Sequence, residues 1–267
     1  MTIKEWIRNR EITASPHFSV AEIQRVFVET SEQLIKNELY RLSTKGVIAS
    51  VYKGFYVIIP VQYAAKGIVP PFYYIDQLMT YINKPYYVSL LNAAEILGVS
   101  HQSPQRFSAM TVPPRTQVSS VKNKILTWVY RESIPERFLL AKNSETGTIR
   151  YSNAELTAVD LVQYSQYIGG LSRAATVLAE LVELTDFRGK IEELLDFTTI
   201  ATLQRLGYIL EEVLKESEQA DIIYSELNAL VKRLTFKPLS SRIKNEKCEK
   251  NYKWKIEINT EIEIDDV

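Results

Sequence analysis

Apolar residues recur at helical spacing through Val20, Ile23, Val26 and Phe27, and Ser19 stands before them, which predicts a helix with a defined start. Ser19 can cap the first turn, Glu22 can reach back to the Ser19 amide, and Phe18 can pack on Ile23 as a hydrophobic staple. Val28 and Glu29 separate this helix from a second expected cap, Thr30, with Gln33 three residues on. The helix after Thr30 is expected to run to Gly46, a residue suited to a left-handed C-terminal cap. Residues 47–52 and 55–59 are β-prone runs joined at Lys53-Gly54, the pattern of a tight hairpin. Ile3, Trp6 and Ile7 begin an earlier helix, broken at Ser15-Pro16-His17. This order of elements predicts a winged helix-turn-helix over residues 1–60.

The faces of the second capped helix point to a partner. At about 100° per residue, Leu34, Ile35, Leu39 and Leu42 share one broad arc and are expected to bury against the earlier helices. Gln33, Asn37, Tyr40 and Thr44 line the opposite side, flanked by Lys36 and Arg41. Gln and Asn suit bidentate bonding to adenine in the major groove, while Lys and Arg suit phosphate or guanine. Lys53, at the hairpin tip, is placed to reach phosphate. The expected DNA-contacting set is therefore Gln33, Lys36, Asn37, Tyr40, Arg41, Thr44 and Lys53, with double-stranded DNA as the partner.

Beyond the hairpin, residues 61–71 look like a linker, closed by Val69-Pro70-Pro71. A helix is expected over 73–82, and Ser89 is the expected N-cap of another that runs from Leu90 to Leu97 and ends at Gly98. β-prone runs follow at 110–112, 124–130, 138–141 and 149–151, with a turn over 143–147. Helical periods then cover 153–166, 172–184, 190–197, 199–215 and 221–234. Near the end, Tyr252, Trp254, Ile256, Ile258, Ile262 and Ile264 occupy even positions, with Lys253, Lys255, Glu257, Glu261 and Glu263 at odd ones. That period of two predicts a long half-buried strand. The expected fold class is α+β: an N-terminal winged helix-turn-helix followed by a mixed α/β domain with a helical C-terminal half, over residues 72–267.

With 267 residues the chain is long enough for two domains. Its formal net charge of zero hides an asymmetry. Residues 1–150 hold 18 Lys and Arg against 11 Asp and Glu, whereas residues 151–235 hold 7 against 14. A basic end followed by an acidic one accords with a DNA-binding part and a differently employed part. No apolar run approaches the roughly 20 residues that span a bilayer, and residues 1–6 lack a signal-peptide core. No membrane partner and a cytoplasmic setting are expected. The lone Cys248 excludes an internal disulfide and accords with a reducing compartment.

Catalytic signals are sparse. The pair Gly169-Gly170 lacks the further glycines or lysine of a phosphate loop. His17 and His101 are far apart, read as loop residues, and have no ligands at metal spacing. Asp160, Asp186 and Asp196 read as caps or surface charges. No enzymatic role, no metal and no cofactor are expected.

Several stretches, in their order, resemble the AbiEi-type antitoxins, also called type IV antitoxin transcriptional regulators. Phe18 to Tyr56 is similar to the family's N-terminal winged helix, including Leu39-Tyr40-Arg41-Leu42 and Lys53-Gly54-Phe55-Tyr56. Tyr86-Tyr87-Val88-Ser89, Val159-Asp160-Leu161 and Leu203-Gln204-Arg205-Leu206-Gly207-Tyr208 resemble later segments. On the residues alone, Gly207 reads as a place where a neighbour comes close to a helix. The resemblance covers roughly residues 1–215 and leaves out the tail from Lys237. It implies a repressor that binds its own promoter DNA, and a functional partner that is a nucleotidyltransferase-like toxin encoded beside it. The second domain would counteract that toxin, and the type IV label implies that no stable toxin complex is required. The alternative reading is a ligand-responsive winged-helix regulator without a toxin partner.

Overall fold

Residues 1–12, 16–99, 104–115, 125–243 and 248–264 are described by the structure, a computed structural model, and they form a mixed α/β chain with several sheets. The elements begin with α1 (Ile3–Ile12), β1 (His17–Ser19), α2 (Val20–Val26), α3 (Glu32–Thr44), β2 (Ile48–Tyr52), β3 (Phe55–Ile58), α4 (Val61–Ala64) and α5 (Ile75–Tyr81). Then come β4 (Tyr86–Val88), α6 (Leu90–Leu97), β5 (Phe107–Thr111), β6 (Leu126–Tyr130), β7 (Leu139–Ser144) and β8 (Gly147–Ser152). The remainder is α7 (Ala154–Gln163), α8 (Leu171–Leu181), α9 (Ile191–Leu195), α10 (Ile200–Tyr208), α11 (Ser217–Leu230), β9 (Lys237–Pro238), β10 (Glu249–Asn251) and β11 (Ile256–Ile258). A five-stranded sheet has the order β6-β5-β4-β8-β7, with β5 and β6 parallel in register from Phe107 opposite Leu126 to Thr111 opposite Tyr130.

The chain divides into two compact units that do not follow its order. The first holds Met1–Tyr87, Gln105–Ile134 and Ala141–Arg150; the second holds Val88–Pro104, Pro135–Leu140 and Tyr151–Val267. In the first unit the hairpin β2–β3 is buried on both faces, because alternate strand residues point to opposite sides. Tyr56 and Ile58 face the helical cluster of Ile7, Phe18, Ile23, Ile35, Leu39 and Leu42. Phe55 and Val57 face a second cluster with Val69, Tyr73, Tyr74 and Leu78. The stretch 61–71, read from sequence as a linker, carries α4 and sends Val69 into that second cluster.

In the second unit α7 and α10 are the most enclosed helices. Asn153 caps α7 by accepting from the Leu156 amide at 3.0 Å. Asp160, expected as a cap or surface charge, is instead fully buried on that helix, whose whole circumference is covered. Ser89 stands at the N-cap position of α6, but its buried hydroxyl makes no hydrogen bond, so the expected side-chain cap is absent there. The helix expected over 221–234 lies earlier, as α11.

The tail departs most from the expectation of one long strand. Its chain turns between β10 and β11, where the Asn251 side chain accepts from the Trp254 amide at 2.8 Å and Lys255 takes a φ of 53°. The turn breaks the alternation: Tyr252 is left 71% exposed, while Trp254 is fully buried against α10. β11 then pairs antiparallel with β10 and parallel with β9.

Candidate nucleic-acid interface

The geometry of the predicted DNA-facing segment begins at the two ends of α2. The Ser19 amide donates to Glu22 Oε2 at 2.7 Å and the Glu22 amide donates to Ser19 Oγ at 3.2 Å, a complete capping box. Phe18 and Ile23, the staple pair, are both fully buried in the helical cluster. The Phe27 amide closes α2 on the Ile23 carbonyl at 2.8 Å. Thr30 does not cap the next helix. Its amide is spent closing the turn on the Phe27 carbonyl at 3.0 Å, and Ser31, with extended backbone, caps α3 by accepting from the Leu34 amide. At the far end Gly46 (φ 67°) places its amide on the Ser43 carbonyl and the Val47 amide on the Leu42 carbonyl. This Schellman arrangement stops α3 and turns the chain into β2.

α3 buries Ile35, Leu39 and Leu42 and leaves Leu34 60% exposed. Leu34 lies about 100° around the helix from Ile35, so the apolar arc is narrower than the sequence reading made it. Gln33, Lys36, Asn37, Tyr40, Arg41 and Thr44 are all exposed on the remaining surface. The Gln33 amide nitrogen donates to Asn37 Oδ1 at 2.9 Å, and the Thr44 hydroxyl donates to the Tyr40 carbonyl at 3.0 Å. Arg41 Nε donates to Glu38 Oε2 at 2.8 Å, and Lys36 pairs with Glu32 at 2.6 Å. The Arg41 bond holds the Glu38 carboxyl below its usual range. Exposed pairs of this kind contribute little to stability, so exchanging them for an anionic or hydrogen-bonding ligand costs little.

Lys53 is exposed at the hairpin tip beside Gly54 (φ 76°) and has no ion-pair partner among the described residues. The tip is fixed from two sides. The Tyr81 hydroxyl donates to the Lys53 carbonyl at 3.3 Å, and the Val20 amide donates to the Gly54 carbonyl at 2.9 Å. A Cβ at Gly54 would come within 2.8 Å of the Tyr81 hydroxyl. Sequence reasoning missed Tyr81 because a contact across 28 residues leaves no local pattern.

His17, expected in a loop, opens β1 and stacks on Phe55 at 5.8 Å between ring centroids. Burial, and then the Arg10 charge, push its pKa down. Arg10 itself pairs with Glu22 at 3.1 Å. His101 and Lys124 lie outside the described residues. Among the described residues no cluster of His, Cys, Asp and Glu could hold a metal ion, and no helix is long and apolar enough to cross a membrane.

Residues 87–212 match the family described as the AbiEi antitoxin C-terminal domain. No curated protein matches the chain. The chain is similar to the RV2827C protein from Mycobacterium tuberculosis, whose crystal structure aligns with a TM-score of 0.68 at 12% identity, over 94% of this chain and 88% of that one. At such identity the likeness is one of fold.

Proposed function

Residues 87–212 match the AbiEi antitoxin C-terminal domain, and from that premise we propose that the protein is a type IV-like antitoxin which binds its own promoter and represses it. Residues 1–60 act as a winged helix-turn-helix, and residues 72–267 counteract a nucleotidyltransferase-like toxin in the cytoplasm. The observation that carries the DNA-binding half is the surface of α3: Gln33, Asn37, Tyr40 and Thr44 stand exposed opposite Ile35, Leu39 and Leu42. Capped at both ends and preceded by a short turn, α3 has the form of a recognition helix, with Lys36, Arg41 and Lys53 supplying phosphate or guanine contacts. The family supports the toxin half. No catalytic role is assigned to any residue.

Full-length protein carrying Gln33→Ala, Asn37→Ala and Arg41→Ala together should lose binding to its own upstream DNA in a gel shift. It should still restore growth when co-expressed with a toxic neighbouring gene product. If the triple variant binds the operator as the parent does, the α3 reading fails. If the adjacent open reading frame lacks nucleotidyltransferase motifs and is harmless, the toxin reading fails, and a ligand-responsive regulator takes its place.

A further inference from the structure

The second unit is acidic, and several of its cations are ion-paired. Arg188 pairs with Glu218 at 2.7 Å, Lys190 with Glu155 at 2.6 Å, and Lys253 with Glu211 and Asp221 at 2.6 and 2.8 Å. Arg205 and Arg242 make no ion pair among the described residues, and they share a place. Both line one cavity of about 370 Å³, together with the Gly169-Gly170 turn and the Ser240-Ser241 pair. Among the described residues no carboxylate lines this cavity. A unit otherwise rich in Asp and Glu thus holds a space lined by two arginines and, among the described residues, by no counter-charge.

Arg205 is half-buried on α10, and its Nε donates to the Pro238 carbonyl at 3.0 Å. That bond anchors the side chain while its terminal N–H groups keep no partner among the described residues. Holding a guanidinium away from water without an anion is costly, so an anionic ligand would recover what burial takes away. Desolvation alone lowers the pKa of Arg205, with no carboxylate opposing it. The loop bearing Arg242 is held in place independently. Asn259, itself buried, accepts from the Ser240 amide at 2.8 Å and donates to the Ser240 and Ile243 carbonyls at 2.8 and 2.6 Å.

We propose that this cavity binds a small molecule bearing a phosphate group, with Arg205 and Arg242 gripping the phosphate and the Ser240 and Ser241 hydroxyls as neutral donors. Two separate guanidinium groups carry two positive charges, which a phosphate, with its further oxygens and charge, matches better than a single carboxylate does. The volume falls within the roughly 300–1,000 Å³ of small-molecule sites, which leaves room for an organic part beyond the phosphate. This inference rests neither on operator binding nor on a toxin, and its test needs neither.

The test titrates full-length protein with inorganic phosphate at constant ionic strength, read by calorimetry and by thermal melting, with acetate as the comparison anion. Saturable phosphate binding is expected, with a melting temperature that rises with phosphate as linkage requires. Loss of one charge-assisted contact should weaken affinity about tenfold in R242Q and in R205Q. R188Q, which changes an ion-paired arginine that does not line the cavity, should bind as the parent does. R205Q also frees the Pro238 carbonyl, so if it fails to fold, R242Q on the exposed loop decides alone. Non-saturable binding, an affinity unchanged in R242Q, or acetate bound as tightly as phosphate would each overturn the proposal.

Discussion

Gln33 on α3 and Gln204 on α10 show how the same side chain serves two opposite purposes. Gln33 is exposed, bonded only to Asn37 one turn away, and free to exchange that bond for another. Gln204 is fully buried, and its amide nitrogen donates to the Thr235 and Trp254 carbonyls at 3.0 and 2.7 Å. α3 thus has one apolar face and one available face, whereas α10 is enclosed from Thr202 through Tyr208, apart from Arg205. A polar residue on a helix therefore marks a binding surface only where the neighbouring chain leaves it uncovered. That covering is a tertiary property.

The largest effect is expected where α10 is most tightly covered. A Cβ on Gly207 would fall 2.0–2.5 Å from three atoms of the Trp254 ring. Gly207→Ala should cost about 3 kcal/mol in urea unfolding, near the upper end for overpacking. Trp254→Ala should cost about 3–5 kcal/mol through the lost ring and the void it leaves. In a double-mutant cycle the alanine at 207 should then cost little, because the ring it meets is gone. Additive costs would mean that Gly207 is not there to admit Trp254.

Next come the two polar helices themselves. Gln204→Ala leaves the buried Trp254 carbonyl short of a donor and should lower stability by about 1–3 kcal/mol. Asn37→Ala should weaken operator binding about tenfold, the loss of one base contact, with no change in thermal stability. Stability lost in Asn37→Ala, or kept in Gln204→Ala, would erase the contrast between the helices. A smaller effect is expected at the hairpin tip. Lys53→Ala should weaken binding to all DNA sequences alike and reduce the slope of log affinity against log salt by roughly one unit. A weaker affinity with the slope unchanged would mean that Lys53 acts on hairpin structure.

The smallest expected effect is on pH. Burial lowers the pKa of His17 below its unfolded value, so the folded protein holds this proton less well than the unfolded chain does. Its contribution to stability is complete above the unfolded pKa of about 6.5 and is lost as the pH falls below it. Melting temperatures compared between neutral and mildly acidic buffer should drop less in His17→Gln than in the parent. An equal drop in both would exclude His17 as the titrating group.

What the sequence made legible was local. The capping box at Ser19 and Glu22, the stop at Gly46 and the hairpin at Lys53-Gly54 each depend on residues within a few positions of one another, and each forms. The cap of α3 was misplaced by one residue because Thr30 and Ser31 are chemically alike, and only the turn that consumes the Thr30 amide separates them. The exposed set on α3 followed from its helical period, except for Leu34 at the edge of the arc. The tail was misread because alternation reports a strand only while the backbone stays extended. The turn at residues 252–255 is fixed by Asn251 and by a tryptophan site on a helix far away in sequence. The cavity around Arg205 and Arg242 likewise joins segments that no local pattern connects.

The seating of Trp254 on α10 also sets an order of events during synthesis. Gln204 and the Trp254 carbonyl it bonds are 50 residues apart in the chain. At about 5–20 residues per second, the ribosome makes α10 roughly 3–10 seconds before its cover exists. Throughout that interval the apolar bed at Gly207 lacks its cover and Gln204 lacks the Trp254 carbonyl. A nascent chain stalled before Trp254 should therefore offer chaperones and proteases a helix that the finished protein never exposes. The helix is made early but completed last.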